Sequence, residues 1–238
     1  MPIINWKRGL ALLPIIGLAS VAPNAFPVAQ LGYASLHDLA LYVILPAMAV
    51  LVAWAALSLT RGWRDTAEVI LAGGMAGAIA TLALEAVRYP GFLLGFMPGN
   101  LPELMGVLLL DRFAEGPSTA STIAGFAYHA WNGASFGILF AAFSRIGFVR
   151  QTPAWTTGYG MLIGIGFLAS PVVQSLGVGL FGIDFGWHFA ATVLAAHGAF
   201  GLALSFLLRA SESCLTPALP NSLARGSGDA GRACEGCD

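Results

Sequence analysis

Apolar residues in this chain come in runs of about twenty or more separated by short polar stretches, long enough for a helix to cross a hydrocarbon core of about 30 Å at about 1.5 Å per residue. The runs cover residues 9–30, 38–60, 66–88, 119–143, 154–181 and 186–208. They predict an all-α fold, a polytopic transmembrane helix bundle of about six spans within residues 1–210. Pro14, Pro23 and Pro27 interrupt the first run, and its basic start followed by ALLPIIGLASVA also has the form of a signal peptide, which would leave five spans. Cleavage after Ala22 would put the unfavourable Pro23 first, so the expectation is a retained helix. Between the third and fourth runs, the apolar stretch 101–110 is too short to span and is bounded by Pro102 and Asp111, which predicts an interfacial or re-entrant piece. From Ser211 the chain turns to Ser, Gly, Pro and charge, so residues 211–238 are expected to form a disordered cytoplasmic tail.

Charge gives the runs an orientation. Only 10% of the residues are charged, against about 25% in soluble domains, so water is not the main solvent. Lys7 and Arg8, Arg61 and Arg64, Arg145 and Arg150, and Arg209, Arg225 and Arg232 all fall on one side of a six-span arrangement. The positive-inside rule makes that side cytoplasmic, together with both termini. Arg88 and Arg112 lie on the other side with Glu103, Asp111 and Glu115. No basic face suits nucleic acid. The lipid bilayer is the expected environment, and a homo-oligomer is compatible with the pattern.

The third and fifth runs are glycine-rich, with Gly73, Gly74 and Gly77 in one and Gly160, Gly164 and Gly166 in the other. Each is followed by a run with a His-x3-Gly motif, His129 to Gly133 and His197 to Gly201, which suggests a parallel two-helix repeat. Small residues four apart let helix backbones approach closely, so Gly73/Gly77, Gly133/Gly137 and Gly160/Gly164 are expected to be packing surfaces.

Polar residues within the runs are the candidates for chemistry. His129 and His197 each lie about ten residues into a run, at matching depth near the midplane. They would be hydrogen-bonded structural groups, or part of a proton or solute pathway, or the two ligands of haem b or a metal ion. Trp131 and Asn132 stand beside His129 and are candidates to orient its ring. Glu85 is three residues before Arg88, so the two can pair on one helix face, or Glu85 can face Gln174 across an outer vestibule. His37 with Asp38, and Asp184 with His188, read as cap or interface pairs. Cys234 and Cys237 have metal-binding spacing in the tail, and Cys214 could add a third thiolate.

From Ala72 to Leu208 the order of features is a glycine helix, an MPGNLPELMG segment, a His-x3-Gly helix, a glycine helix ending in GVGLFG, and a second His-x3-Gly helix. It resembles a widespread family of uncharacterised bacterial inner-membrane proteins. That resemblance implies a bacterial inner (plasma) membrane location and carries no activity. The stretch LHDLALYVILPAMAVLVAWAAL with its Arg-containing end resembles the first membrane helix of cytochrome c oxidase subunit II. No copper-ligand domain follows, so that subunit's electron-entry role is not implied.

These features point first to a non-catalytic accessory subunit of a membrane complex, with a respiratory complex suggested by the oxidase-like helix. A small transporter or proton-conducting protein with a midplane histidine site is the alternative from a different class, and a bis-histidine redox protein is a third. No Ser or Cys nucleophile has a base at matching depth, which disfavours a hydrolase.

Overall fold

The computed structural model describes residues 6–215, with side chains to residue 211. The regular structure of the described residues is all helical, with no strand. The helices are α1 (Trp6–Gln30), α2 (Leu36–Leu39), α3 (Leu45–Arg61), α4 (Arg64–Leu93), α5 (Leu101–Leu109), α6 (Thr119–Ile146), α7 (Pro153–Leu168), α8 (Pro171–Ser175) and α9 (Trp187–Leu215). A π-helical turn, Ala40–Ile44, fuses α2 to α3, so that Leu36–Arg61 is continuous. Its cause is Pro46: the Leu45 N–H reaches back five residues to Ala40 O, which widens the helix just ahead of the proline ring.

Four helical stretches are long and apolar enough to cross a membrane: Trp6–Gln30, Leu36–Arg61, Arg64–Leu93 and Trp187–Ser211. Large apolar side chains, among them Val52, Leu59, Leu82, Ile123, Leu162 and Phe206, stand on the outside of the bundle. The interior is instead rich in Gly and Ala, the inverse of a water-soluble helix bundle.

Two expectations about the apolar runs are corrected. The three prolines of the first run do not interrupt it, since α1 continues through Pro14, Pro23 and Pro27. Beside the second proline, Tyr128 Oη of α6 donates to Ala22 O at 2.7 Å and ties α1 to α6. The fifth run, in contrast, is broken. α7 stops at Leu168, Ser170 is extended with ψ 160°, and Pro171 starts the separate short helix α8. A residue before proline is pushed out of the helical region, so Pro171 ends the helix where the apolar pattern alone continued it.

The helix ends follow local chemistry. Ser118 and Ser121 form a reciprocal capping box at the start of α6, and Gly147 ends that helix in the left-handed conformation at φ 94°. Thr152 accepts from the Trp155 N–H at the start of α7.

The bundle is held by two helix pairs in near backbone contact. Against α6, a Cβ placed on Gly77 would fall 2.1 Å from Gly133 O, and one on Gly137 would fall 2.1 Å from Gly73 O. Against α9, a Cβ on Gly160 would meet His197 O at 2.1 Å, and one on Gly201 would meet Thr156 O at 2.2 Å. The expected packing surfaces are therefore real, and Gly201 joins them. A third contact seats α5 on α6, where a Cβ on Gly106 or Gly125 would lie 1.7 Å from a facing carbonyl oxygen.

At one end of the bundle, Asp65 of α4 lies 3.7 Å from Arg8 of α1 and 3.1 Å from Arg145 of α6, and Arg145 also pairs with Glu68. Arg209 of α9 donates to Gln151 O at the same end. Arg8, Arg145 and Arg209, from three of the basic clusters of the sequence, meet at this basic end. Exposed pairs of this kind contribute about 0–1 kcal/mol each, so they mark orientation more than they stabilise.

Gly77→Ala is expected to lower stability by about 1–3 kcal/mol, because the methyl meets backbone that cannot rotate away. Gly17, with nothing within 4 Å of its would-be Cβ, serves as the control. Gly17→Ala should be neutral or stabilising by up to about 1 kcal/mol. Thermal unfolding of the two purified variants in detergent checks both.

Candidate functional site

Towards the end away from the basic cluster the bundle opens into a cavity of about 430 Å³, within the range of about 300–1,000 Å³ typical of small-molecule sites. α1 supplies Pro23, Asn24, Phe26 and Pro27; α4 supplies Leu84 and Arg88; α6 supplies His129, Asn132 and Phe136. α7 contributes Ile163, Gly166 and Phe167, and α9 contributes Val193, Ala196 and His197. Met97, Leu101, Met105, Ser170 and Val172 complete the wall. The break after α7 bears on this site, since Ser170 and Val172 reach the wall only because the chain turns there.

Arg88 is the most buried charge of the site, 5% exposed. Its Nε donates to Glu85 Oε1 at 2.8 Å and its Nη2 to Glu85 Oε2 at 2.6 Å, a bidentate pair one helical turn apart. Nη2 also donates to Asn100 Oδ1 at 3.0 Å, which ties the start of α5 to α4. Nη1, the corner of the fork turned away from Glu85, has no protein acceptor.

His129 comes to the same carboxylate from α6. Its Nε2 lies 3.1 Å from Glu85 Oε1, close enough for an ion pair when protonated but off the line of a hydrogen bond. Asn132, expected to orient that ring, instead leaves its buried Oδ1 without a partner. His197 is set differently. Gly164 makes room for its ring, with a would-be Cβ only 3.1 Å from His197 Cβ, and Phe167 stacks on it with centroids 6.2 Å apart. The ring Nδ1 lies 2.8 Å from Val193 O and must be the donor there, so the neutral ring carries an acceptor lone pair on Nε2.

His129, Asn132 and His197 thus line one cavity. Gln174 is not part of it. It sits on α8 beyond the helix break, exposed, with Nε2 turned back to Ala169 O at 3.5 Å, so it does not face Glu85. Cys234 and Cys237 lie outside the described residues, as does the tail expected to be disordered from residue 216 on. Among the described residues, no group of three or more His, Cys, Asp or Glu is placed to hold a metal ion. The His129 nitrogen facing away from its backbone is the one that lies 3.1 Å from Glu85 Oε1.

The other imidazole–carboxylate pairs have local work. Ser35 Oγ donates to Asp38 Oδ2 at 2.7 Å and accepts from the Asp38 N–H, a helix cap, while His37 Nδ1 contacts Leu109 O at 2.8 Å. His188 packs among Phe96, Phe185 and Trp187 with centroids 5.3, 5.8 and 6.1 Å away. Two residues of the site were not singled out by sequence reasoning: Arg88 as a wall of the cavity and Asn100 as its anchor. An arginine within an apolar run, three residues after a glutamate, was the available signal for the first.

Comparison with protein-family models, curated proteins and solved structures finds no match for this chain.

Removing one partner of a buried pair strands the other. Arg88→Met is expected to destabilise the protein by about 3–5 kcal/mol, whereas the double change Glu85→Leu with Arg88→Met should recover most of that loss. Unfolding curves of the single and double variants in one detergent decide this, and equal losses would mean that the pair is not the source.

Proposed function

We propose that this chain is a polytopic inner-membrane protein that binds a small, largely apolar solute in the cavity shared by His129, Asn132, His197 and Arg88, as a small transporter does. The observation that carries the reading is the cavity itself. Residues from seven helices converge on a largely apolar space with a few polar groups, the usual form of a small-molecule site.

The bundle's asymmetry supports a transport role. Between the cavity and the basic end, Gly73 and Gly77 lie against Gly133 and Gly137, and Gly160 against Gly201, so each helix pair is tight along its own seam. A cavity placed off-centre in the bundle, away from the basic end, suits one state of an alternating-access cycle. The positive-inside rule makes the basic end cytoplasmic, with both termini on that side.

Six crossings follow if α6 and α7 are added to the four long apolar stretches. α6 spans about 42 Å at about 1.5 Å per residue, and α7 reaches about 24 Å before α8 and the following turn continue outward. A discontinuous helix beside a buried polar site is a recurring feature of membrane carriers. The shared contact of a glycine helix with a His-x3-Gly helix in both pairs favours the parallel repeat, although the broken α7 departs from α4.

The accessory-subunit reading remains the competitor, since the exposed apolar surface suits protein partners as well as lipid. Cysteine labelling separates the two. Ser170→Cys, in a chain with Cys214, Cys234 and Cys237 changed to Ser, should react with a membrane-impermeant maleimide from the side opposite the basic end. A carrier is expected to lose that labelling when Gly166→Leu fills the cavity. No labelling from either side of a folded protein, together with co-purification of larger partners, would return the accessory-subunit role.

A further inference from the structure

Resting on the reading of the cavity as a solute site, we infer that its ligand is an electrically neutral amphiphile whose polar head both accepts and donates hydrogen bonds, such as a primary amide, rather than an anion or a cation.

Charge bounds the choice first. Arg88 is the cation on the cavity wall, and its charge is already matched by Glu85 through two hydrogen bonds at 2.8 and 2.6 Å. An entering carboxylate would bring an uncompensated negative charge into an apolar enclosure, which is strongly unfavourable. An entering ammonium would need a free carboxylate, yet both Glu85 oxygens are engaged by Arg88, and Oε1 also faces His129 at 3.1 Å. The charges of Arg88 and Glu85 offset each other, and a neutral guest preserves that balance.

The hydrogen-bond inventory then defines the head. The Arg88 side chain is more than nine-tenths buried, and its Nη1 carries two N–H groups without an acceptor in the protein. Asn132, 9% exposed, has an Oδ1 without a donor. His197 offers the lone pair of Nε2, because its Nδ1 is committed to Val193 O at 2.8 Å. Beneath the cavity surface the lining side chains thus hold a charge-assisted donor and an acceptor, with the His197 lone pair a second acceptor, and a head with only one kind of group would leave part of this set unmatched. Phe26, Leu84, Met105, Phe136 and Val193 leave the rest of the wall apolar, which suits an alkyl or ring body.

A set of probes with the same chain and different heads tests this in nanodiscs of zwitterionic lipid: decanamide, decanoate and decylammonium, read by the shift in thermal unfolding midpoint. Decanamide is expected to give a saturable stabilisation that Gly166→Leu abolishes by filling the cavity and that Asn132→Leu weakens severalfold. Neither variant removes a charge, so both should fold. Preference for decanoate or decylammonium, still abolished by Gly166→Leu, would overturn the neutral-head inference while leaving the site in place. Equal stabilisation by all three probes, again blocked by Gly166→Leu, would mean that only the apolar body is recognised and would also overturn it. Stabilisation that Gly166→Leu does not touch, or none by any probe, would overturn the cavity reading itself.

Discussion

Everything in this bundle depends on backbone meeting backbone. At the α4–α6 and α7–α9 crossings the facing residues are glycines, and the carbonyl of one helix occupies the space where the other would carry a side chain. In lipid the burial of apolar surface no longer favours association, so close van der Waals contact must supply it. Two crossings locked in this way leave the helices little freedom to rotate. That fixes which faces of α4, α6 and α9 look inward one to three turns farther along, where Glu85, Arg88, His129 and His197 stand. The site is a by-product of the packing: where the small residues end and side chains such as Leu84, Phe136 and Phe167 begin, the helices are held apart and space remains between them.

That division also explains how two kinds of polar group coexist. At the basic end, Arg8, Asp65, Glu68 and Arg145 lie at the surface and their pairing adds little to stability. In the cavity wall, the Arg88–Glu85 pair is withdrawn from water, and the loss of either member is costly. The same residue types therefore do different work according to their depth. Arg88 draws together α4, the start of α5 through Asn100 and, by way of Glu85, α6.

Much of this was legible in the sequence, for physical reasons that differ between residues. The glycine spacing announced the crossings because period four is the period of a helix face, and Glu85 with Arg88 announced a pair because residues three apart share a face. Depth along a helix is also countable, so His129 and His197 could be placed at one level. Rotation about the helix axis is not countable, and only the packing brings His129 to Glu85 and leaves Gln174 on the outside. The break in α7 was written in Pro171, but hydropathy is blind to backbone torsion and ran the span on to residue 181. In α1 the opposite occurred: three prolines read as interruptions were absorbed into one continuous helix.

One feature of the site reaches beyond binding. Glu85 and Arg88 sit on consecutive turns of a single helix and are joined by two hydrogen bonds, so any tilt or slide of α4 carries a positive and a negative charge together. Moving one elementary charge through a membrane potential of 100 mV is worth about 2.3 kcal/mol, and here the two contributions oppose each other and nearly cancel. The resting voltage of a cell would therefore do almost no work on this pair when the helix that carries it moves.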